Sequence, residues 1–451
     1  MNKKRLLQQY DFIIKKYNYS DKTYLNTYHK KDDLYVFLNE FDNMNVFSMY
    51  PEMIIYKLQS MYDTNITDII SEDTSEEKLK DFMYRSSKMK NIYIKIKNKF
   101  DEFEGEGEAK TKMKEYALLK KKYENQLINK YFHYHILDFL RLKLGTQTIT
   151  NAWLKCYELL YKFDLIEKEN TDILKTFHIC ELPGAFIMAT QYYVKHWTKR
   201  KLAWTAQSLN PYNEENRRIR KGMFLPDKYK MAKNNPDKYD WADGTGDITN
   251  IKNIKYYIKK YGKSRDLVTS DCGQDSSEDF VGQEIRLNKV YWGQFVCAIG
   301  LLKKGGNYFA KLFSIQTIKM IEFVYLCTVL FEQVYITKPL KTKLVSGEIY
   351  LVCKNFLDKD TDEYLDKFYT YIENFDTRNL VNLDKIDDDF IDELDMCNNL
   401  MGQRRITNIN KLIYLINNIE FYVQNPKIKN HIDKMVEYYV RYFCEYYEIG
   451  I

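Results

Sequence analysis

The stretch Phe177–Phe186, FHICELPGAF, carries the first clear strand-to-helix signal of the chain. A short apolar run, Phe177 to Cys180, meets a Pro183–Gly184 turn, and a helical pattern follows. This reads as strand, turn, helix. Gly184 lets the backbone approach a bound group closely, and the following helix start offers free N–H groups at a positive dipole end. The same wording also serves as a plain strand–helix connection, so the turn alone does not define a site.

Working outward, short β-rich runs recur from about residue 145 to 358. They are TFHIC, LAWTAQ, RDLVTSD, NYFAKLF, QVYITK and IYLVCK. Helical patterns such as QEIRLNKVYWGQFVCAIGLL and SIQTIKMIEFVYLCTVLFE lie between them. Strands alternating with helices predict βαβ units and a doubly wound α/β domain, placed at 141–358. The last three strands follow one another closely, which permits an antiparallel edge. Residues 1–140 alternate charged and aromatic residues without strong strand patterns and are expected to be mainly helical. EGEGEAK at 104–110 reads there as a solvated loop, and it lacks the Gly-Lys-[Ser/Thr] ending of a P-loop. From 359 to 451 acids cluster and two helical patterns follow, predicting a helical appendage.

Composition narrows the class. The chain has 451 residues, 45% hydrophobic and 29% charged, enough for a packed core. Only 17 glycines and 7 prolines favour long helices over a sandwich or barrel. A net charge of +6 is compatible with a polyanion partner but is not a strong nucleic-acid footprint. The 40 tyrosines and many lysines suggest a codon bias that dilutes the meaning of any one basic or aromatic cluster. Eight scattered cysteines, without CxxC or His at metal spacing, read as free thiols in a reducing compartment. The start, MNKKRLLQQYDF, has no signal-peptide core, and the longest apolar stretch, near Ile321–Leu330, is short and contains Glu322, so no membrane span or membrane partner is expected.

In open α/β sheets ligands bind beyond the carboxyl ends of the strands, near a switch point. No G-x-G-x-x-G is present, so a zwitterionic amino-acid end suits the Glu181–Ala185 turn better than a pyrophosphate. Other polar residues fall at comparable places. Asp271 ends an apolar strand, Lys311 stands inside GGNYFAKLF, and Glu348 heads another strand. Lys155 lies off the Trp153–Tyr157–Tyr161 stripe of a helix just before the first strand of the domain. Lys311 could be the solvent side of an edge strand. With a second lysine and two acids nearby, a general-base arrangement is the other reading.

Taken together, Lys155, Asp271, Lys311 and Glu348 follow the Lys–Asp–Lys–Glu order of the FtsJ-like (Adrift-type) RNA ribose 2′-O-methyltransferases, which this region resembles. ICELPGAF is similar to that family's Pro-Gly-Gly-Phe cofactor motif, and DGTGDIT (243–249) to a Gly-Asp-Ile-Thr segment of its cap-specific branch. GGNYFAKLF and ITKPLKTKLVSGEIYLVCKNF resemble further motifs of that branch. The wording NAWLK-x-YELL and CELPG-x-F is shared with cap methyltransferase-like proteins of large cytoplasmic DNA viruses. The resemblance implies a Rossmann-like fold and S-adenosyl-L-methionine as cofactor. It implies an mRNA cap-specific 2′-O-methyltransferase converting cap 0 to cap 1, with ribosomal or transfer RNA as alternative substrates and a non-catalytic RNA-binding scaffold as a further alternative. No metal is required by that chemistry.

The same resemblance assigns roles. Lys311 is the general base, Lys155 and Asp271 steer it and lower its pKa, and Glu348 anchors the cluster. Cys180, Glu181, Pro183, Gly184, Ala185 and Phe186 cradle the cofactor, Asp247 and Ile248 contact its adenine, and Asp271 lies near the transferred methyl. The implied partner is RNA, the capped 5′ end of mRNA, with capping or transcription machinery recruited through the flanking helical regions and a cytoplasmic (host cytoplasm or virion) setting. Two positions depart from the pattern: His178 stands where the family has Asp, and Ala185 replaces the second Gly. LAWTAQSLNP does not end in an acid, so no residue for the cofactor ribose is named.

Overall fold

The computed structural model describes residues 53–70, 76–101, 135–146, 148–219, 225–273, 282–342, 346–359, 361–375, 379–417 and 440–449. The chain divides into two compact units. One comprises 53–93 and 144–403 and contains the sheet and every candidate site residue. The other comprises 1–52, 94–143 and 404–451, and its described parts include helix at 135–143 and 440–446. The expected loop at 104–110 lies outside the described residues.

Seven strands form one sheet: β1 (Ile54–Leu58), β2 (Leu174–Ile179), β3 (Leu202–Gln207), β4 (Arg265–Ser270), β5 (Leu302–Leu312), β6 (Phe331–Lys338) and β7 (Ile349–Phe356). Their order is β1-β6-β7-β5-β4-β2-β3. β3, β2, β4 and β5 pair in parallel, and β7 runs antiparallel between β5 and β6. The antiparallel edge permitted by the close spacing of the last three strands is therefore present as an inserted strand. β1 adds a strand to the N-terminal region expected to be mainly helical, and it pairs antiparallel with β6 from Ile54↔Lys338 to Leu58↔Val334. IIYKL is only five residues long, and its partner is far away in the chain, so local sequence gives it no support.

Flanking helices, labelled in chain order, are α1 (Asn151–Phe163), α2 (Ala185–Trp197), α3 (Ile251–Tyr261), α4 (Gln283–Leu301), α5 (Ile318–Leu330) and α6 (Thr361–Glu373). α1 starts where the Thr150 hydroxyl accepts from the Trp153 N–H at 3.1 Å, and it stops at Asp164 in the left-handed region. The Trp153 and Tyr157 rings of the expected stripe stack at 5.4 Å. The central strands are buried on both faces, so Tyr308, Phe309, Ala310 and Leu312 of β5 form a nearly continuous apolar run interrupted by Lys311. Truncating Phe309 to Ala would cost about 3–5 kcal/mol, as large-to-small changes in such cores do.

His178 belongs to this interior. Its imidazole sits between the Thr176 and Thr269 hydroxyls at 2.9 and 2.8 Å, and burial lowers its pKa to about 3. It is a neutral core histidine with both ring nitrogens satisfied. Glu322, the acid in the apolar stretch of α5, is likewise used inside. It accepts from the Leu380 and Val381 N–H groups and the Tyr371 hydroxyl, and burial pushes its pKa up to about 7. The segment after α6 is thus pinned to the sheet-bearing unit. No helix among the described residues is long and apolar enough to cross a membrane.

Candidate active site

The chain leaves β2 toward β3 on one side and returns to β4 on the other side of β2, which makes the carboxyl ends of β2 and β4 the switch point. Ile179 pairs with Ser270, and the Asp271 N–H donates to the Ile179 carbonyl at 3.2 Å. The opening turn and Asp271 are therefore held side by side.

The four resemblance-derived polar residues come together as two ion pairs. Lys311 Nζ lies 2.6 Å from Asp271 Oδ1, and Lys155 Nζ lies 2.6 Å from Glu348 Oε1. All four side chains are 12–16% exposed. Lys311 is on β5 between β4 and β7, which excludes the edge-strand reading. It faces Tyr350 across the β5–β7 ladder, and the Tyr350 hydroxyl donates to Glu348 Oε1 at 2.9 Å. Lys155 reaches the cluster because it lies off the aromatic stripe of α1.

Electrostatics tie the four into one unit. Burial alone would raise Glu348, but the Lys155 and Lys311 ammonium groups and the Tyr350 hydrogen bond outweigh it and bring its pKa to about 2. Burial raises Asp271, with Lys311 opposing it. For Lys311, burial acts downward, yet the Asp271 and Glu348 carboxylates prevail and the amine is held above its ordinary range. This corrects the expectation that Lys155 and Asp271 lower its pKa. A carboxylate in direct contact stabilises the ammonium more than a second cation, already paired with Glu348, destabilises it.

The turn itself is built from backbone constraints. Cys180 takes a positive φ of 58°, Gly184 one of 102°, and the Leu182–Pro183 peptide is cis. A Cβ on Gly184 would lie 3.0 Å from the Met231 side chain. Ala185 begins α2 with no left-handed backbone, so the missing second glycine costs no strain there. The Glu181 carboxyl turns back to accept the Phe186 N–H at 2.8 Å at the start of α2. Its Oε2 is buried without a hydrogen-bond partner, and burial followed by the Asp271 charge raises its pKa well above the usual carboxylate range. Phe186 is fully buried, its ring 5.5 Å from that of Phe309.

The Asp247–Ile248 segment is anchored by a residue the sequence did not single out. Gln207, at the end of β3 where an acid was sought, is fully buried. Its Oε1 accepts from the Cys180 N–H at 3.2 Å, and its amide donates to the Gly246 carbonyl. One side chain thus joins the Cys180–Gly184 turn to the Asp247–Ile248 segment. Gly246 has φ 67°, and an added Cβ would collide with the Ser208 carbonyl. Asp247 Oδ1 accepts from the Thr249 N–H at 2.9 Å and its hydroxyl at 2.8 Å, just before α3. Ile248 is 3% exposed and its side chain joins the main core. The alternation of LAWTAQ puts Gln207 on the face of Ala203 and Thr205, away from Leu202, Trp204 and Ala206, so the pattern gives no signal for its burial.

A model of the FtsJ-like methyltransferase family matches residues 148–356, the segment that carries all of these groups. Among known proteins, the chain is 32% identical over 250 residues to an uncharacterized protein of Acanthamoeba polyphaga mimivirus, covering 54% of this chain and 30% of that protein. It is 30% identical over 231 residues to the mouse cap-specific mRNA (nucleoside-2′-O-)-methyltransferase 2, covering 50% and 30%. It is 30% identical over 254 residues to the probable methyltransferase EP424R of African swine fever virus, covering 53% and 57%. The matches span 30–57% of these relatives' own lengths. Residues 148–356, with the candidate site within them, are thus the part of the chain that is similar to the FtsJ-like methyltransferases.

Proposed function

We propose that this chain is an S-adenosylmethionine-dependent 2′-O-methyltransferase acting at the capped 5′ end of mRNA. The observation that carries the reading is the Lys155–Glu348 and Lys311–Asp271 cluster at the carboxyl edge of the sheet, beside the switch point. A cap-specific relative at 30% identity supports the RNA end as substrate.

The site's own residues fit the cofactor. Glu181 and Asp271 bring two buried carboxyl groups to one edge, and Glu181 Oε2 has no hydrogen-bond partner. Such an edge suits a guest that carries positive charge, as an ammonium or a sulfonium does. Cys180–Phe186 would hold the methionine end, Asp247 and Ile248 the adenine, and Asp271 the neighbourhood of the methyl. When bound, the cofactor supplies a methyl on a leaving group already activated by its charge.

The protein's part is to orient a ribose hydroxyl and accept its proton at Lys311 Nζ. In the free protein that amine is protonated between Asp271 and Glu348. A second cation near Asp271 would weaken that hold and free the amine to act as base. Lys155 neutralises Glu348, so Glu348 fixes the cluster without competing fully for Lys311.

For the RNA itself, a cavity of about 520 Å³ opens beside α1 and α2. Trp153, Tyr192 and His196 line it, the last two stacked on each other at 3.9 Å, and Lys195 supplies charge, a combination suited to a nucleotide. Eight free cysteines and the viral relatives support a cytoplasmic setting, and the flanking segments are the candidate contacts for capping or transcription machinery.

The test is transfer of labelled methyl to matched RNAs with and without a cap, followed by nuclease mapping. The expected result is label in the capped RNA alone, as a 2′-O-methyl on the first transcribed nucleotide (cap 0 to cap 1). Equal labelling of both RNAs excludes cap specificity, and label on the second nucleotide overturns the first-nucleotide assignment.

A further inference from the structure

Six of the eight cysteines are buried in the protein, and two, Cys180 and Cys272, are half-buried. Those two occupy one place. Cys180 follows Ile179 at the end of β2, and Cys272 follows Asp271 just beyond β4, in strands paired at Ile179↔Ser270. Cys272 thus stands one residue beyond the position opposite Cys180, and strands about 4.8 Å apart with a rise of about 3.3 Å per residue put such a diagonal pair at about 6 Å, within the roughly 4.4–6.8 Å between Cα atoms that a disulfide spans. The two thiols are close enough to act on each other, and Lys311 is close enough to act on Cys272 by its charge. Cys180 also holds an uncommon positive φ, which turns its side chain out of the regular strand direction.

We propose that Cys180 and Cys272 form a peroxide-sensitive thiol pair at the edge of the active site. The Cys272 thiolate attacks one oxygen of hydrogen peroxide, the O–O bond breaks, and the sulfur becomes a sulfenic acid while the second oxygen leaves as hydroxide, then water. The Cys180 sulfur attacks the sulfenic sulfur, an S–S bond forms, and the sulfenic oxygen takes a proton and departs as a second water. Two electrons pass from the thiols to the peroxide. The resulting bridge spans the β2 and β4 ends beside Asp271 and Lys311, closing the edge where the cofactor turn must stay open.

Cys272 is the first sulfur oxidised. The neighbouring Cys180 thiol and then the Lys311 ammonium draw its thiol below the ordinary range, against the opposing effect of burial, and the thiolate is the reactive form. Cys180 is held well above its ordinary range, chiefly by the neighbouring Cys272 and then by burial, and serves as the resolving thiol. Cys327 and Cys353 also lie together but are fully buried in the core, and they provide an internal control.

The test treats the full-length chain with hydrogen peroxide, alkylates it, digests it without reductant and reads the peptides by mass spectrometry. The expected product is a Cys180 peptide joined to a Cys272 peptide, lighter by two hydrogen atoms and separated by dithiothreitol, with Cys327 and Cys353 unoxidised. In the Cys180→Ser variant, dimedone should instead trap a sulfenic acid on Cys272. Free thiols at both positions after treatment, or Cys272 oxidised to sulfinic acid with Cys180 still free, would overturn the pair. Trapping at Cys180 in Cys272→Ser at the rate seen for Cys272 would overturn the order. Inhibition rests on the methyltransferase reading: bridged protein should lose methyl transfer at least ten-fold and recover it with dithiothreitol. Bridged protein with unchanged transfer contradicts the closure, whereas reduced protein without any transfer contradicts the methyltransferase reading and leaves the peptide result standing.

Discussion

Lys311 and Asp271, from neighbouring strand ends, meet at 2.6 Å, and the pairing holds the amine above its ordinary pKa in the free protein. A general base in that state is mostly protonated at neutral pH, so its activity should climb with pH. Replacing Asp271 by Asn removes the nearest anion and lowers the Lys311 pKa. The pH profile of kcat for Asp271→Asn is therefore expected to move its rising limb to lower pH than wild type, whatever the loss in absolute rate. An unshifted limb would separate Asp271 from the control of Lys311.

The Lys155–Glu348 pair makes a stability prediction. The folded Glu348 pKa is about 2, below the value of about 4.3 expected in an unfolded chain. Its stabilisation is thus fully present above about pH 4.3 and is lost as pH falls toward 2. Lys155→Met strands the carboxylate among buried groups, and breaking a buried pair costs about 3 kcal/mol or more. Denaturant unfolding should show that loss at neutral pH and a smaller gap near about pH 3, where Glu348 is protonated in the variant and in the unfolded chain.

Gln207 is expected to matter beyond its distance from the reacting groups. Gln207→Ala leaves the Cys180 N–H and the Gly246 carbonyl without their partner, at a cost of about 1–3 kcal/mol per stranded group. Calorimetry should show weakened S-adenosylmethionine binding together with a lower Tm. A variant with lower Tm and unchanged affinity would make Gln207 a fold residue only.

Asp247→Asn keeps the oxygen that accepts from Thr249 and removes the charge. Cofactor affinity is expected to fall several-fold while Tm stays within the usual small range of a surface substitution. Unchanged affinity would refute the adenine-side assignment of Asp247.

The six strands from β2 to β7 were legible because each is a short apolar run bounded by turns and separated by a helical pattern or a brief connection. β1 was not, since an edge strand draws its support from a partner that only the fold supplies. The tetrad was legible as a resemblance but not as geometry. Spacing in the chain does not reveal that Lys155 answers Glu348 while Lys311 answers Asp271, nor that proximity to two carboxylates reverses the expected Lys311 shift. His178 looked like a departure at the cofactor turn. It proved to be a core residue, because a strand residue two positions before the turn points into the sheet's interior face between two threonines. Cys272 went unremarked because a lone cysteine carries no signal until its neighbour across the sheet is known.

The most direct measurement compares wild type with Lys311→Ala in methyl transfer from labelled S-adenosylmethionine to capped RNA, with cofactor affinity measured in parallel. The account predicts a rate loss of roughly 10²–10⁴-fold, as for removal of a general base, with affinity changed by no more than a few-fold. Turnover within a few-fold of wild type would contradict it.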